Sequence, residues 1–147
     1  DENRRIVTEG IGHMQRRLRP GREALAAIAG TKPNEFNAET LGFAIGPRMN
    51  AAGRIKHANI ALELMLAEDQ ATARPIAQEL DALNRQRQQE TLDAYALAEE
   101  LVGANDDPLI MVGHERIHAG IVGLVASRLA ERWHRPAIVF EQGCSNA

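Results

Sequence analysis

Two histidines (His114, His118), two arginines (Arg116, Arg128) and Ser127 fall between Gly113 and Leu129, among the glycines Gly113, Gly120 and Gly123. Guanidinium forks, imidazole N–H groups and the open backbone of a glycine turn are all donors, and their common partner is an anion, most often a phosphate. A second donor set lies upstream in Gly46-Pro47-Arg48-Met49-Asn50-Ala51-Ala52-Gly53-Arg54-Ile55, where Arg48, Asn50 and Arg54 are separated by small residues. Two guanidiniums and an amide are what a sugar-phosphate chain needs, and small neighbours let its backbone come close. A structural knot, with Arg bonded to helix-end carbonyls, explains the same residues equally well. His114 and His118 are four apart and on a helix could share a metal, but no Cys or carboxylate is spaced to complete the shell. A capping or loop histidine and a phosphate donor are the other readings.

The elements that must position these groups follow from periodicity. Apolar runs Pro108–Val112 and Pro136–Phe140 have strand length, and between them Leu124, Leu129 and Ala130 recur at helical spacing. Strand, helix and strand with no hairpin signal predict a right-handed βαβ crossover and a parallel pair. The first donor set then opens the helix at the carboxyl end of a strand, where open α/β sheets bind ligands. Upstream, a helix is expected over 3–18 with Ile6, Val7, Ile11, Met14 and Leu18 on one face. A turn is expected at Pro20-Gly21, a helix at 22–29 closed by Gly30, a loop at Lys32-Pro33-Asn34, and a helical stretch at 38–45. Pro47 should force Gly46 out of helix geometry, and Gly53 should adopt a conformation closed to other residues, making residues 46–55 a shaped connection. A helix is expected over 57–66 with Ile60, Ala61 and Leu64 inward. Another, capped by Asp69, should run to about Val102. Its positions 73, 76, 80, 83, 87, 90, 94, 97 and 101 read Ala, Ile, Leu, Leu, Arg, Glu, Ala, Leu, Leu. A stripe apolar at both ends and polar in the middle predicts a helix docked into a core at each end. Pro75 implies a kink or a later start. Gly103 should end the helix.

Composition narrows the class. At 147 residues the chain is one domain or parts of two, and 44% hydrophobic content can fill a core. Aromatics at 3% argue against base stacking as the main mode of recognition. Cys144 stands alone, so no internal disulfide forms and a reducing, cytoplasmic setting fits. No apolar run has membrane length. The net charge of −3 is unevenly spread. Residues 1–60 carry ten Lys/Arg against six Asp/Glu, residues 61–107 three against eleven, and residues 108–147 four against three. Fifteen of the 17 basic residues are Arg, which suits forked phosphate contacts and equally a GC-rich genome. Both ends read as cut, so the chain is expected to be a segment of a longer protein.

Two stretches together resemble one family. Gly46-Pro47-Arg48-x-Asn50-Ala51-x-Gly53-Arg54 is similar to a motif of the RecJ single-strand-specific DNA exonucleases, of the DHH phosphoesterase superfamily. His118-x-Gly120-Ile121-Val122-Gly123-Leu124-Val125-Ala126-Ser127-Arg128, with Arg135-Pro136, resembles a later one, and the intervening Glu79-Leu80-Asp81-Ala82-Leu83-Asn84 fits as well. The resemblance implies 5′-to-3′ degradation of single-stranded DNA in repair and recombination, with manganese or magnesium activating water for attack on phosphorus. The family's Asp-x-Asp and Asp-His-His metal-binding motifs do not occur in this sequence, so it supplies no catalytic or metal-ligating residue by this reading. It implies an α/β architecture in three parts: 1–68, the helical end of a catalytic domain; 69–104, a long connecting helix; 105–147, the start of a substrate-binding domain. Arg48, Asn50 and Arg54 would line the DNA channel, while His118, Gly120, Ser127 and Arg128 would hold phosphate. Single-stranded DNA is the implied partner, with a single-strand-binding protein or helicase in the wider context. The alternatives are a DHH phosphoesterase acting on oligoribonucleotides or cyclic dinucleotides, whose usual Gly-Gly-Gly-His-type loop is absent here, and a non-catalytic scaffold relative.

Overall fold

The computed structural model describes residues 1–16, 19–104 and 106–143. The expectations for Arg17, Leu18, Asn105 and Cys144 fall outside that range. The architecture is α/β: six α-helices and a two-stranded parallel sheet among the described residues, divided into two compact units, Asp1–Arg85 and Gln86–Ala147.

The first unit is helical. Helix α1, Glu2–Arg16, has an acidic first turn and a basic last turn, which complements its dipole. Of its expected apolar face, Ile6 and Val7 are exposed and Met14 packs on the core. Helix α2 is Pro20–Ile28, so Pro20-Gly21 starts a helix instead of turning the chain. Proline is suited to the first helical position because the N–H it lacks has no intrahelical partner there. Gly30, at φ +71°, ends the turn after α2 as expected. Pro33–Glu35 forms one tight 3₁₀ turn where a loop is expected, with Lys32 N–H bonded to the Glu35 carboxylate at 3.0 Å.

The next segment departs most from expectation. Asn37 caps a helical run by accepting from Thr40 N–H at 2.8 Å. Thr40–Ile45 winds as a π-helix and passes directly into α3, Gly46–Ile55. Gly46 is helical at φ −55°, ψ −46°, and Gly53 is not among the glycines at positive φ, so residues 46–55 are a helix and not a connection. The π-turn reconciles this with Pro47. Gly46 N–H reaches back five residues to Leu41 O, and the proline without an N–H falls where the ladder returns to four-residue spacing. A Cβ on Gly46 would stand 2.9 Å from Leu41 O, so this close turn favours glycine.

Helix α4 is Asn59–Leu66, with Leu64 and Ala61 buried as expected. Helix α5 runs Gln70–Val102 and continues through Pro75, so its start is not delayed. Asp69 caps it, accepting from Thr72 N–H at 2.7 Å, and that bond holds the carboxyl below the ordinary carboxylate range. A depressed pKa means that the cap stabilises above the unfolded carboxyl's pKa and fades as pH falls through the folded one. Asp69→Ala should therefore lower the melting temperature at neutral pH by an amount that shrinks in acid. A pH series of thermal melts checks this, and a gap unchanged in strong acid would contradict it.

The two ends of α5 serve separate cores. Ala73, Ala77, Leu80 and Leu83 join Leu25, Phe36 and Leu64 in the first unit. Ala94, Ala98 and Val102 join the second. Leu101, expected inward, is exposed, because the stripe closes on Ala98 and Val102 at four-residue steps.

In the second unit the strands sit slightly later than expected: β1 is Ile110–His114 and β2 is Ala137–Glu141, parallel, with Val112 opposite Val139 and His114 opposite Glu141. Helix α6, Val122–Trp133, crosses between them. Its buried line is Ile121, Val125 and Leu129, with Leu124 partly buried beside it. Ile110, Val112 and Val139 face that core, while Met111, Ile138 and Phe140 alternate outward. Among the described residues no helix is long and apolar enough to cross a membrane.

Candidate nucleic-acid interface

In the first unit, Ala51 and Ala52 bury one side of α3 and leave Asn50 and Arg54 exposed one turn apart. Arg48 stands apart from them. Its Nε donates to Asp81 Oδ1 at 2.9 Å and its Nη1 to the Ala44 carbonyl at 2.7 Å. Arg85 approaches the other Asp81 oxygen at 3.2 Å. The expected convergence of two guanidiniums and an amide thus does not form: Arg48 is bonded to Asp81 and Ala44, while Asn50 and Arg54 lie at the exposed surface of α3.

In the second unit the loop after β1 is held from below by β2. Glu141 Oε2 accepts from Ala119 N–H at 3.0 Å, and Oε1 lies 3.7 Å from His118 Nδ1. His114 Nδ1 accepts from Arg116 N–H at 3.0 Å, which fixes that ring as a loop brace. Ile117 is fully buried beneath the loop and anchors it. His118, whose side chain is 64% exposed, and Arg116 border a cavity of about 460 Å³ with Glu90, Asp93 and Glu115. Three carboxylates against one guanidinium and one imidazole do not favour a phosphate there without a counter-ion. Gly120 lies in the turn between His118 and α6.

Ser127 and Arg128 face a different space. They line a groove of about 350 Å³ with Arg87, Gln88, Thr91 and Glu131. Ser127 Oγ donates to Glu131 at 3.4 Å, and the Arg128 guanidinium lies 5.9 Å from the centre of the Tyr95 ring. The Tyr95 hydroxyl donates to Glu99 at 2.7 Å, and that bond raises its pKa. Two guanidiniums, two hydroxyls and an amide against one carboxylate suit a phosphate better than the His118 cavity does.

Asp81 and Glu141 join these sites without being marked as chemistry by residue type and spacing. Glu141 had a signal, since parallel pairing sets the end of β2 beside the end of β1. Asp81 has none beyond its place in the stretch Glu79–Asn84 that resembles the RecJ exonucleases. Among the described residues no group of three or more His, Cys, Asp or Glu is placed to hold a metal ion.

In sequence and in fold the chain is similar to proteins named as exonucleases. The chain is 39% identical over 145 residues to the single-stranded-DNA-specific exonuclease RecJ of Dickeya dadantii, covering 94% of this chain and 25% of that protein. It is 40% identical over 142 residues to RecJ of Bacillus subtilis, covering 95% and 18%. Crystal structures of Thermus thermophilus RecJ with Mn2+ and with Mg2+ superpose with a TM-score of 0.82 at 34% identity over 96% of this chain, 21% and 22% of theirs. No family model matches. The chain is similar to RecJ exonucleases over nearly its whole length, and it spans about a quarter or less of the length of these relatives.

Proposed function

We propose that this chain is the DNA-gripping part of a single-strand-specific 5′-to-3′ DNA exonuclease of DNA repair and recombination. Residues 1–68 would close a DHH-type catalytic domain, 69–104 would connect, and 105–147 would begin the substrate-binding domain. Asn50 and Arg54 would contact the backbone of single-stranded DNA from the first unit. Ser127 and Arg128 would hold phosphate from the second, and His118 and Gly120 would offer it further donors from the neighbouring loop, beside the counter-charge of the metal ions. The observation that carries the reading is the likeness to RecJ over nearly the whole chain, at 34–40% identity in sequence and structure.

Manganese or magnesium would be held by residues outside this chain. The described side chains do not form a metal site, so no chemical step is assigned to them. A cytoplasmic setting, and a single-strand-binding protein or helicase as partner, belong to the same proposal.

The 147-residue chain with manganese should leave a 5′-phosphorylated oligonucleotide intact, while the full-length protein carrying it should digest the same substrate. Metal-dependent digestion by the chain alone would refute the division of labour. Failure of the full-length protein to cut single-stranded DNA would refute the exonuclease reading.

A further inference from the structure

Arg48 does not reach outward for a ligand. Its side chain is 20% exposed, and its fork is committed to Asp81 on α5 and to the Ala44 carbonyl within the π-turn. Asp81, itself 12% exposed, receives Arg85 on its second oxygen. One guanidinium therefore ties three points: the π-turn, the start of α3 and the middle of α5. The π-turn is where the backbone ladder changes register as it passes into α3, so the direction in which α3 leaves depends on what braces that junction. Asn50 and Arg54 lie beyond that junction. A fixed fork of donors can set such an angle, whereas a single-point ammonium cannot.

We propose that Asp81 is a positioning residue: acting through Arg48, it sets the direction of α3 and so places the exposed Asn50–Arg54 turn against DNA. Arg48 holds the junction and is not itself a phosphate contact. This rests on the reading that Asn50 and Arg54 meet DNA.

The sign of one substitution separates the two roles. Asp81→Asn removes a negative charge and by charge alone should strengthen DNA binding. A lost clamp should instead weaken it. In the full-length protein carrying this chain, binding of a labelled oligo-dT across a salt series is expected to weaken roughly tenfold in Asp81→Asn, within the coupling range of groups in direct contact. Arg48→Gln should weaken binding to the same extent with an unchanged salt slope, the double variant should be no worse than either single one, and Asp81→Glu should restore most of the affinity. Binding by Asp81→Asn as tight as wild type or tighter would overturn the proposal. So would a salt slope flattened by about one in Arg48→Gln alone, which marks a lost phosphate contact. If Asp81→Asn fails to fold, Arg48→Lys decides, since it keeps the charge without the fork. Weak binding at wild-type slope would support the clamp, and wild-type affinity would overturn it. Absence of DNA binding by the unaltered protein would reject the underlying reading, whereas normal binding with an indifferent Asp81→Asn would reject the clamp alone.

Discussion

Gly21→Ala should destabilise the first unit by about 3 kcal/mol, near the top of the usual range for overpacking. Gly21 is buried in the first turn of α2, against α4. A Cβ there would lie 1.8 Å from Leu64 O and 2.8 Å from its carbonyl carbon. Both are backbone atoms, which no rotamer change can move. The helices would have to separate, and the core of Leu25 and Leu64, both fully buried, would open with them. For a unit of this size that loss corresponds to a fall in melting temperature of roughly 10–25 °C. Gly10→Ala provides the contrast. Gly10 is exposed on α1 with nothing near its missing side chain, so alanine should stabilise by about 0.5–1 kcal/mol through backbone entropy. Parallel thermal melts followed by circular dichroism check the pair. A Gly21→Ala protein melting like wild type would show that α2 and α4 do not approach through this glycine.

The same glycine marks where sequence reasoning ran out. Pro20-Gly21 has the composition of a turn, and locally nothing distinguishes a turn from a helix start whose glycine is needed by another helix. That need comes from Leu64, far along the chain. Gly46-Pro47 failed for a related reason. The rule that a residue before proline avoids helix geometry assumes an α-helical ladder, and the π-turn evades it by shifting the register. Where the signal was periodic and long it survived: the βαβ crossover, the parallel pairing, the Asp69 cap and the two apolar ends of α5 are all visible in spacing alone. At the candidate interface, residue type was legible and partnership was not. Arg48, Asn50 and Arg54 look alike as donors in a list, but helical geometry turns Arg48 toward Asp81 and the other two outward. Ser127 and Arg128 looked continuous with His118, yet a turn and a half of α6 carries them to a separate groove with more favourable charge. Asp81 could not be anticipated, because an acidic residue on a long helix is ordinarily a solvated one.

The largest functional effects are expected from Arg54→Ala and His118→Ala in the full-length protein. Both side chains are exposed, so neither removal opens a cavity, and the stability change should stay within about 0.5 kcal/mol. A lost charge-assisted hydrogen bond to substrate is about 1.5–3 kcal/mol, which is roughly a 10- to 100-fold fall in kcat/KM. The two variants should then differ in kind. Arg54 carries a permanent charge and should take about one unit of salt dependence with it when removed. His118 sits among Glu90, Asp93, Glu115 and Glu141, so its removal should lower turnover while leaving the salt slope largely in place. Steady-state digestion of a 5′-phosphorylated oligonucleotide at several salt concentrations, with a thermal melt of each variant, separates these outcomes. Wild-type kinetics accompanied by a large drop in melting temperature would mean that these side chains brace the fold, and the phosphate-facing role would then pass to the groove of Ser127 and Arg128 alone.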